Sequence, residues 1–216
     1  MVKNSRFSKE KDEVRVIVIG IGDCGWHVVN EMAGKDKQID YLVLDTDKKI
    51  LDDTQSYDSI LIGDDLLDGK GANGVPVNGQ KAAEANLEDI SNVLKDYDVA
   101  ILVCGMGGGT GTGASPVIAQ AAKNGGVKTV GVVTRPFTFE GRVRTENASS
   151  GIKRIGTVAD ALIEVPCDKV LKLVEKDASV ADTLEKVDGF IRQVILDIAD
   201  IANIPVISFP NKTENA

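Results

Sequence analysis

Histidine occurs once in this 216-residue chain, at His27, and cysteine three times, at Cys24, Cys104 and Cys167. One histidine excludes histidine-rich metal sites, and it excludes catalytic dyads unless His27 alone supplies the base. Three cysteines with no C-x-x-C pair argue against a disulfide framework. No apolar run approaches the ~18 residues that a membrane span requires. Met1 to Glu13 lack the apolar segment of a secretory signal, so the expected compartment is cytoplasmic. Basic charge is also in deficit: 25 Lys and Arg against 33 Asp and Glu give a net charge of −8. Nonspecific nucleic-acid binding needs clustered cations, so nucleic acid is not an expected partner. Lys3, Arg6, Lys9 and Lys11 cluster early, as expected of a solvated arm.

What is present is a hydrophobic fraction of 43% and 22 glycines. A chain of about 200 residues buries roughly 70% of its unfolded surface, enough to fold without staples. Disorder, collagen-like and coiled-coil architectures are excluded for the bulk of it.

Strand and helix patterns alternate almost throughout. β-Branched apolar runs predict strands at 14–19, 41–44, 59–62, 99–104, 127–133 and 160–165. Helices are expected over 26–33, 80–95, 114–123, 146–156 and, longest, 179–203. The helix over 80–95 follows from Ala83, Leu87, Ile90 and Leu94 on one face. The stretch 63–79 holds five glycines and one proline and reads as a long loop, as does 135–144. Strands joined by such helices imply a doubly wound, mostly parallel, Rossmann-like sheet. Ligands of these sheets sit at the carboxyl ends of the strands. On the longest helix Val180, Leu184, Val187, Ile191, Val194, Ile195 and Ile198 form an apolar side; Ile191, Val194 and Ile198 are too spread to all face the sheet.

The first strand ends in Gly20-Ile21-Gly22-Asp23-Cys24-Gly25, a G-x-G-x-x-G, with Asp45 twenty positions on at the end of the second strand. Alone this would indicate an NAD-binding or nucleotide-sensing Rossmann-type protein, which remains the alternative reading. Such a motif is weak by itself, because any close strand-to-helix turn over a phosphate favours those glycines. The second loop is more telling. Gly105-Met106-Gly107-Gly108-Gly109-Thr110-Gly111-Thr112-Gly113 carries six glycines in nine residues between a buried strand and a helix. Consecutive amides there can turn inward as an anion nest, the helix adds its positive end, and Thr110 and Thr112 add hydroxyls. A polyphosphate is the natural guest. Pro116 is expected in the first helical turn. The P-loop pattern fails: Gly63 stands five rather than four residues before Gly69-Lys70, and Gly71 replaces the magnesium-binding Ser or Thr. Asn211-Lys212-Thr213-Glu214 is set aside, because the partner loop of that guanine motif is missing. His27 and Trp26 are expected as a helix-face residue and a packing residue near the pocket mouth. Cys24 lies at a helix start where thiol pKa values can fall, although a small residue that simply fits is the expected role.

The string from Gly105 to Gly113 resembles the tubulin signature in its bacterial and archaeal form, that of the cell-division GTPase FtsZ. Ala114 to Ala119, Thr134 to Gly141 with Arg144, Gly69 with Gly71-Ala72-Asn73, Thr46-Asp47, and Val165-Pro166 with Asp168 extend the likeness over about 14–205. The resemblance implies the nucleotide-binding half of that fold, with GTP or GDP and Mg2+ as ligands. It implies that Gly20, Gly22, Asp23, Cys24 and Gly25 approach the α- and β-phosphates, and that Gly105 and Gly107 to Gly113 wrap the phosphate chain. Asp45 and Asp47 would lie near a magnesium-bound water, and Gly71, Ala72 and Asn73 near the γ-phosphate. Pro136, Glu140 and Arg144 would belong to the sugar loop, and Cys167, Leu184 and Asp188 to the base end.

Several positions depart from the family pattern. Trp26 and Cys167 replace asparagines, Leu184 replaces the aromatic that would stack on guanine, and the Asn-Asp pair reads Asp188-Gly189. Asp188 could still accept from the N1–H and N2–H of guanine. Lys70 brings a positive charge into the phosphate-covering loop, which is about two residues longer. After the long helix the family's water-positioning acidic loop and second domain are not found. The expectation is a naturally short relative, with a polar arm over 1–13, a GTP-binding domain over 14–205 and a tail over 206–216. Such a chain would hydrolyse GTP weakly or not at all alone. It would associate with itself or with a full-length FtsZ-like protein through its nucleotide face, capping the latter's filaments.

Overall fold

Six strands lie in the order β3-β2-β1-β4-β5-β6, every neighbouring pair parallel. They are β1 (Val16–Ile21), β2 (Ile39–Asp45), β3 (Asp58–Leu61), β4 (Val99–Gly105), β5 (Lys128–Arg135) and β6 (Ala161–Pro166). The computed structural model describes residues 14–35, 39–52, 57–173 and 179–202. The expected arm over 1–13, its four basic residues, and the tail over 206–216 lie outside the described residues.

Alternation along β1 splits the core in two, as a sheet covered on both faces requires. Ile17, Ile19 and Ile21 point to one side, where they meet Ile90, Leu94, Ile118 and Ile155. Val16 and Val18 point to the other, against Val28, Val29, Val187, Ile191 and Ile195. The helices are α1 (Gly22–Met32), α2 (Lys48–Asp52), α3 (Asp64–Leu67), α4 (Pro76–Ala85), α5 (Leu87–Leu94), α6 (Thr110–Asn124), α7 (Arg142–Gly156), α8 (Cys167–Leu171) and α9 (Val180–Ala202). No described helix is long and apolar enough to cross a membrane.

Several boundaries differ from the sequence reading, and each has a physical reason. The stretch 63–79 is not all loop: α3 makes a single turn in it, and α4 starts at Pro76. Proline at the first helical position has no amide to leave unsatisfied and its φ is already helical. The expected helix over 80–95 is two helices meeting at Asn86, whose φ of −106° and ψ of 23° are not helical. The Asn86 side chain there accepts from the Gly63 amide at 2.8 Å, an interaction between distant segments. Helix α1 begins at Gly22 and α6 at Thr110, inside the two glycine loops. Pro116 therefore lies in the second turn of α6 rather than its first, and removes the amide that would bond back towards Thr112. The expected loop 135–144 contains a 3-10 turn at Thr138–Glu140 and the first turn of α7.

On α9 the buried row is Val187, Ile191, Ile195 and Ala199, at helical spacing of four. Val194 and Ile198 are partly buried and pack on the second core. Among the described residues of α9, the large exposed apolar side chains are Leu184, Phe190 and Ile201. The expected strip of Ile191, Val194 and Ile198 is thus largely covered.

Candidate functional site

The strand order reverses direction between β1 and β4, the switch point where doubly wound sheets hold ligands. Ile21 pairs with Cys104, so the loops leaving these strands rise side by side. Each leads straight into a helix, and the two helix starts touch: a Cβ on Gly22 would lie 3.3 Å from the Gly111 amide. The first amides of a helix have no intrahelical acceptor. Two such ends converging give a concentration of N–H donors and positive potential at one point.

The glycines around this point serve different ends. A Cβ on Gly20 would fall 2.4 Å from the Gly25 carbonyl oxygen, and one on Gly25 2.5 Å from that of Val103. These two seat α1 on the sheet from behind the site. Gly22, at φ +75°, makes the turn itself. In the second loop a Cβ would meet Cys24 at Gly105 (2.9 Å), the Arg144 carbonyl at Gly107 (2.9 Å), Ala72 at Gly109 (2.6 Å), the Gly105 carbonyl at Gly111 (2.5 Å) and the Pro76 carbonyl at Gly113 (1.9 Å). Gly108 is the exception. Its φ is not left-handed, and a Cβ there would meet only Arg144 Nη2, at 3.7 Å. Packing within the chain gives no reason for glycine at 108.

Four further segments close over the loop. Ala72 is buried against Gly109, and Gly71 and Asn73 flank it with φ of +78° and +51°. The Gly71 amide donates to the Thr46 carbonyl at 3.0 Å, which ties this covering segment to the end of β2. Gly79 of α4 lies so close to Gly109 that a Cβ would be 2.3 Å from its carbonyl oxygen. On the opposite side Pro136 approaches Gly107. Asn147 of α7 donates from Nδ2 to the carbonyls of both Gly74 and Gly107, at 3.5 and 3.4 Å. Asn147 and Gly79 were not singled out from the sequence; proline at 76 was the available signal for Gly79's helix, while nothing local marks Asn147.

Side chains complete the phosphate end. Asp45 is buried, its Oδ1 accepts from the amides of Thr46 (2.6 Å) and Asp47 (3.0 Å), and burial pushes its pKa up to about 6. Asp47 accepts from the Lys49 amide at 2.9 Å. The hydroxyls of Thr46 and Thr110 share a 2.7 Å hydrogen bond. The Thr112 hydroxyl oxygen accepts from the Gly107 amide at 2.8 Å, so it shapes the loop from within. Asp23, in the first turn of α1, is exposed and stands 3.7 Å from His27 Nε2. His27 is on the helix face and Trp26 packs into the second core, as expected of them.

The other end is built from side chains. Glu140 accepts from the Phe137 amide at 2.8 Å and pairs with Arg144 at 3.0 Å. Asp188 on α9 lies within electrostatic reach of Cys24, Cys167 and His27. Its pKa is raised to about 6, chiefly by burial with Glu31 and Asp23 adding to it, while His27 and Arg192 oppose them. Burial also pushes the Cys167 thiol up to about 11, with Glu140, Asp168 and Asp188 adding to it. The Cys24 thiol is raised as well, first by burial and then by Asp188, so the helix start does not activate it. Leu184 stands apart, exposed one turn earlier on α9.

No group of three or more potential metal ligands sits together among the described residues. Asp45, Asp47 and the Thr46–Thr110 hydroxyl pair could still contribute one or two oxygens to a hydrated Mg2+ held mainly by phosphate, as this ion prefers.

Residues 15–175 match the family model described as Tubulin/FtsZ family, GTPase domain. Among solved structures, the FtsZ dimer of M. jannaschii superposes with a TM-score of 0.85 at 30% identity, covering 91% of this chain and 57% of that one. CetZ2 from Haloferax volcanii, as a GTPγS-bound protofilament, gives 0.78 at 24% identity over 90% of this chain and 61% of that one. CetZ1 from the same organism, as a GDP-bound monomer, gives 0.74 at 22% over 83% and 58%. The chain thus spans less than two thirds of the length of each.

Proposed function

The chain belongs to the Tubulin/FtsZ family, GTPase domain, and from that membership we propose that it binds GTP or GDP with Mg2+ and works in a tubulin-like assembly. One observation carries the reading beyond the family: among the described residues a Cβ on Gly108 would meet only Arg144 Nη2, at an unstrained 3.7 Å, in the middle of a loop whose other glycines are all fixed by close packing. A residue kept free of a side chain with no internal neighbour to avoid is accounted for by a ligand lying against it. Amides of the starts of α1 and α6 would receive the phosphates, Glu140 and Arg144 the sugar, and Asp188 the base. Mg2+ would neutralise phosphate charge there.

The NAD alternative relied on Asp45 as a ribose acceptor. That carboxylate is 3% exposed and committed to the Thr46 and Asp47 amides, which leaves it poorly placed for sugar hydroxyls. Asp47 is likewise engaged, by the Lys49 amide. Both carboxylates already accept backbone amides through Oδ1, which weakens them as bases for an attacking water, so the chain alone should turn GTP over slowly. A missing general base typically lowers rate by about 10²–10⁴-fold.

Self-association through the nucleotide face is part of the same proposal. The M. jannaschii relative is described as a dimer and CetZ2 as a protofilament. On this chain Val75, Val77, Phe139 and Val143 are exposed on the segments that flank the glycine loop, an apolar rim suited to a partner, either a second copy or a full-length FtsZ-like protein. The test is calorimetric titration of the nucleotide-free chain with GDP, GTPγS and NADH, followed by light scattering with GTP. Guanine-nucleotide binding without NADH binding is expected. Binding of NADH in preference to GDP would overturn the reading.

A further inference from the structure

The nucleotide reading gives no task to Asn147, whose side chain meets the glycine loop from α7. Its Nδ2 donates to the Gly107 carbonyl at 3.4 Å and to the Gly74 carbonyl at 3.5 Å. Both contacts are long, yet among the described residues no other donor reaches either carbonyl. Packing fixes the helix that carries this side chain. One turn on, a Cβ at Gly151 would lie 2.6 Å from Thr112 Cγ2 and 3.1 Å from Met106 Sδ, so α7 rests directly on the loop. Beyond it, Arg154 Nη2 donates to Gln80 Oε1 of α4 at 2.8 Å. Asn147, Gly151 and Arg154 stand at i, i+4 and i+7, which places them on one face of α7.

What Asn147 holds is a single peptide unit. The Gly107 amide donates to Thr112 Oγ1 at 2.8 Å, and the Gly107 carbonyl accepts from Asn147. The carbonyl and the following amide of a trans peptide point in opposite directions. With the Gly107 carbonyl turned towards α7, the Gly108 N–H points away from it. Among the described residues no acceptor takes that amide. A main-chain donor left unpaired by the chain itself needs solvent or a ligand. Gly108 is also the half-buried position where a Cβ would meet only Arg144 Nη2, at 3.7 Å. Glycine on both sides of this peptide would let it rotate either way, so its orientation depends on the groups that bond to it.

We propose that Asn147 is a positioning residue: by holding the Gly107 carbonyl it aims the Gly108 amide at the phosphate chain of the nucleotide, without touching the ligand. The proposal rests on the guanine-nucleotide reading above. It predicts that Asn147→Ala lowers affinity for GDP and GTPγS alike by about tenfold, the order expected for misdirecting one charge-assisted hydrogen bond. Both nucleotides lose equally because both carry the α- and β-phosphates. Asn147→Gln, which keeps a donor, should recover part of the loss.

The experiment follows the Gly108 amide by proton–nitrogen correlation spectroscopy of the full chain labelled with nitrogen-15 glycine, beside calorimetric titration with GDP and GTPγS in the presence of Mg2+. In the wild type the Gly108 amide proton should move downfield when GDP is added, as a donor to phosphate does. In Asn147→Ala that shift should be lost at saturating GDP, while the unliganded Tm stays within a few degrees. Arg154→Ala removes the neighbouring contact of α7 and should leave shift and affinities as in the wild type. Asn147→Leu keeps the volume without the donor, and answers the same question if the alanine variant does not fold. A full Gly108 shift in the Asn147 variants, or wild-type affinity for both nucleotides, would overturn the assignment while leaving nucleotide binding intact. So would equal losses in Arg154→Ala, which would make α7 a structural support only. A wild type that binds neither nucleotide would overturn the nucleotide reading, and this inference with it.

Discussion

The two ends of the candidate site are built by different means. At the end proposed for the phosphates the site is main chain: two helix starts in contact, a loop whose glycines are interlocked with α4, Ala72 and Arg144, and one loosely surrounded position at Gly108. At the other end, proposed for the base, it is side chain: Asp188 from α9, Cys167 from α8 and Cys24 from α1, with Leu184 exposed one turn away. On the proposed nucleotide reading the first end would hold any polyphosphate, because every nucleotide presents the same group to the same amides. On the same reading the second end would set which base is accepted, and there this chain departs from the family pattern. Affinity and specificity are therefore separable by substitution.

The largest effect should come from the interlock. Gly113→Ala would place a Cβ 1.9 Å from the Pro76 carbonyl oxygen, backbone against backbone. We expect about 3 kcal/mol of destabilisation and a Tm lower by roughly 10 °C, since two main chains must move apart. Urea denaturation without nucleotide checks this. A fully stable variant would show that α4 and α6 are not locked together.

Gly108→Val should do the opposite. Its Cβ would meet only the flexible end of Arg144, at 3.7 Å, so the unliganded Tm should stay within a few degrees, while guanine-nucleotide affinity falls at least about 100-fold. Equal losses of stability and affinity would mean that Gly108, too, is a packing glycine.

The base end should respond more weakly and selectively. Asp188→Ala is expected to lower GDP affinity about tenfold and to abolish any preference for GDP over IDP, which lacks the 2-amino group. Because burial holds the Asp188 pKa near 6, the carboxylate accepts hydrogen bonds fully only above that pH. Wild-type affinity for GDP should therefore fall about fourfold from pH 7.5 to 5.5, and the variant's should not. A pH-independent preference for GDP would remove Asp188 from base recognition.

Asp45 gives the smallest effect, on stability alone. Its folded pKa is raised to about 6 by burial, so the folded state holds the proton more tightly than the unfolded chain. Its favourable contribution is complete below the unfolded value and is lost as pH rises through 6. Asp45→Asn keeps an acceptor for the Thr46 and Asp47 amides without the buried charge. It should stabilise the nucleotide-free chain by about 1 kcal/mol at pH 8 and make no difference near pH 4. A destabilised variant at pH 8 would show that the charge itself is used.

The sequence by itself determined the layer order, the parallel sheet and the placement of both glycine loops. Those features depend on short-range signals: β-branched runs, helical spacing and glycine clusters each act within a few residues. It also supplied the family, because a main-chain phosphate site must be spelled in glycine. Tertiary structure alone decided which glycines belong to packing and which one faces outward. Gly108 and Gly113 are indistinguishable in the sequence, yet a Cβ on one would meet only the end of Arg144 at 3.7 Å and on the other the carbonyl of Pro76 at 1.9 Å. The break between α4 and α5 at Asn86, the buried state of Asp45, and the gathering of Cys24, Cys167 and Asp188 likewise depend on partners 20 or more residues away. Close approach and desolvation are properties of two segments together, and neither segment records them in its own residues.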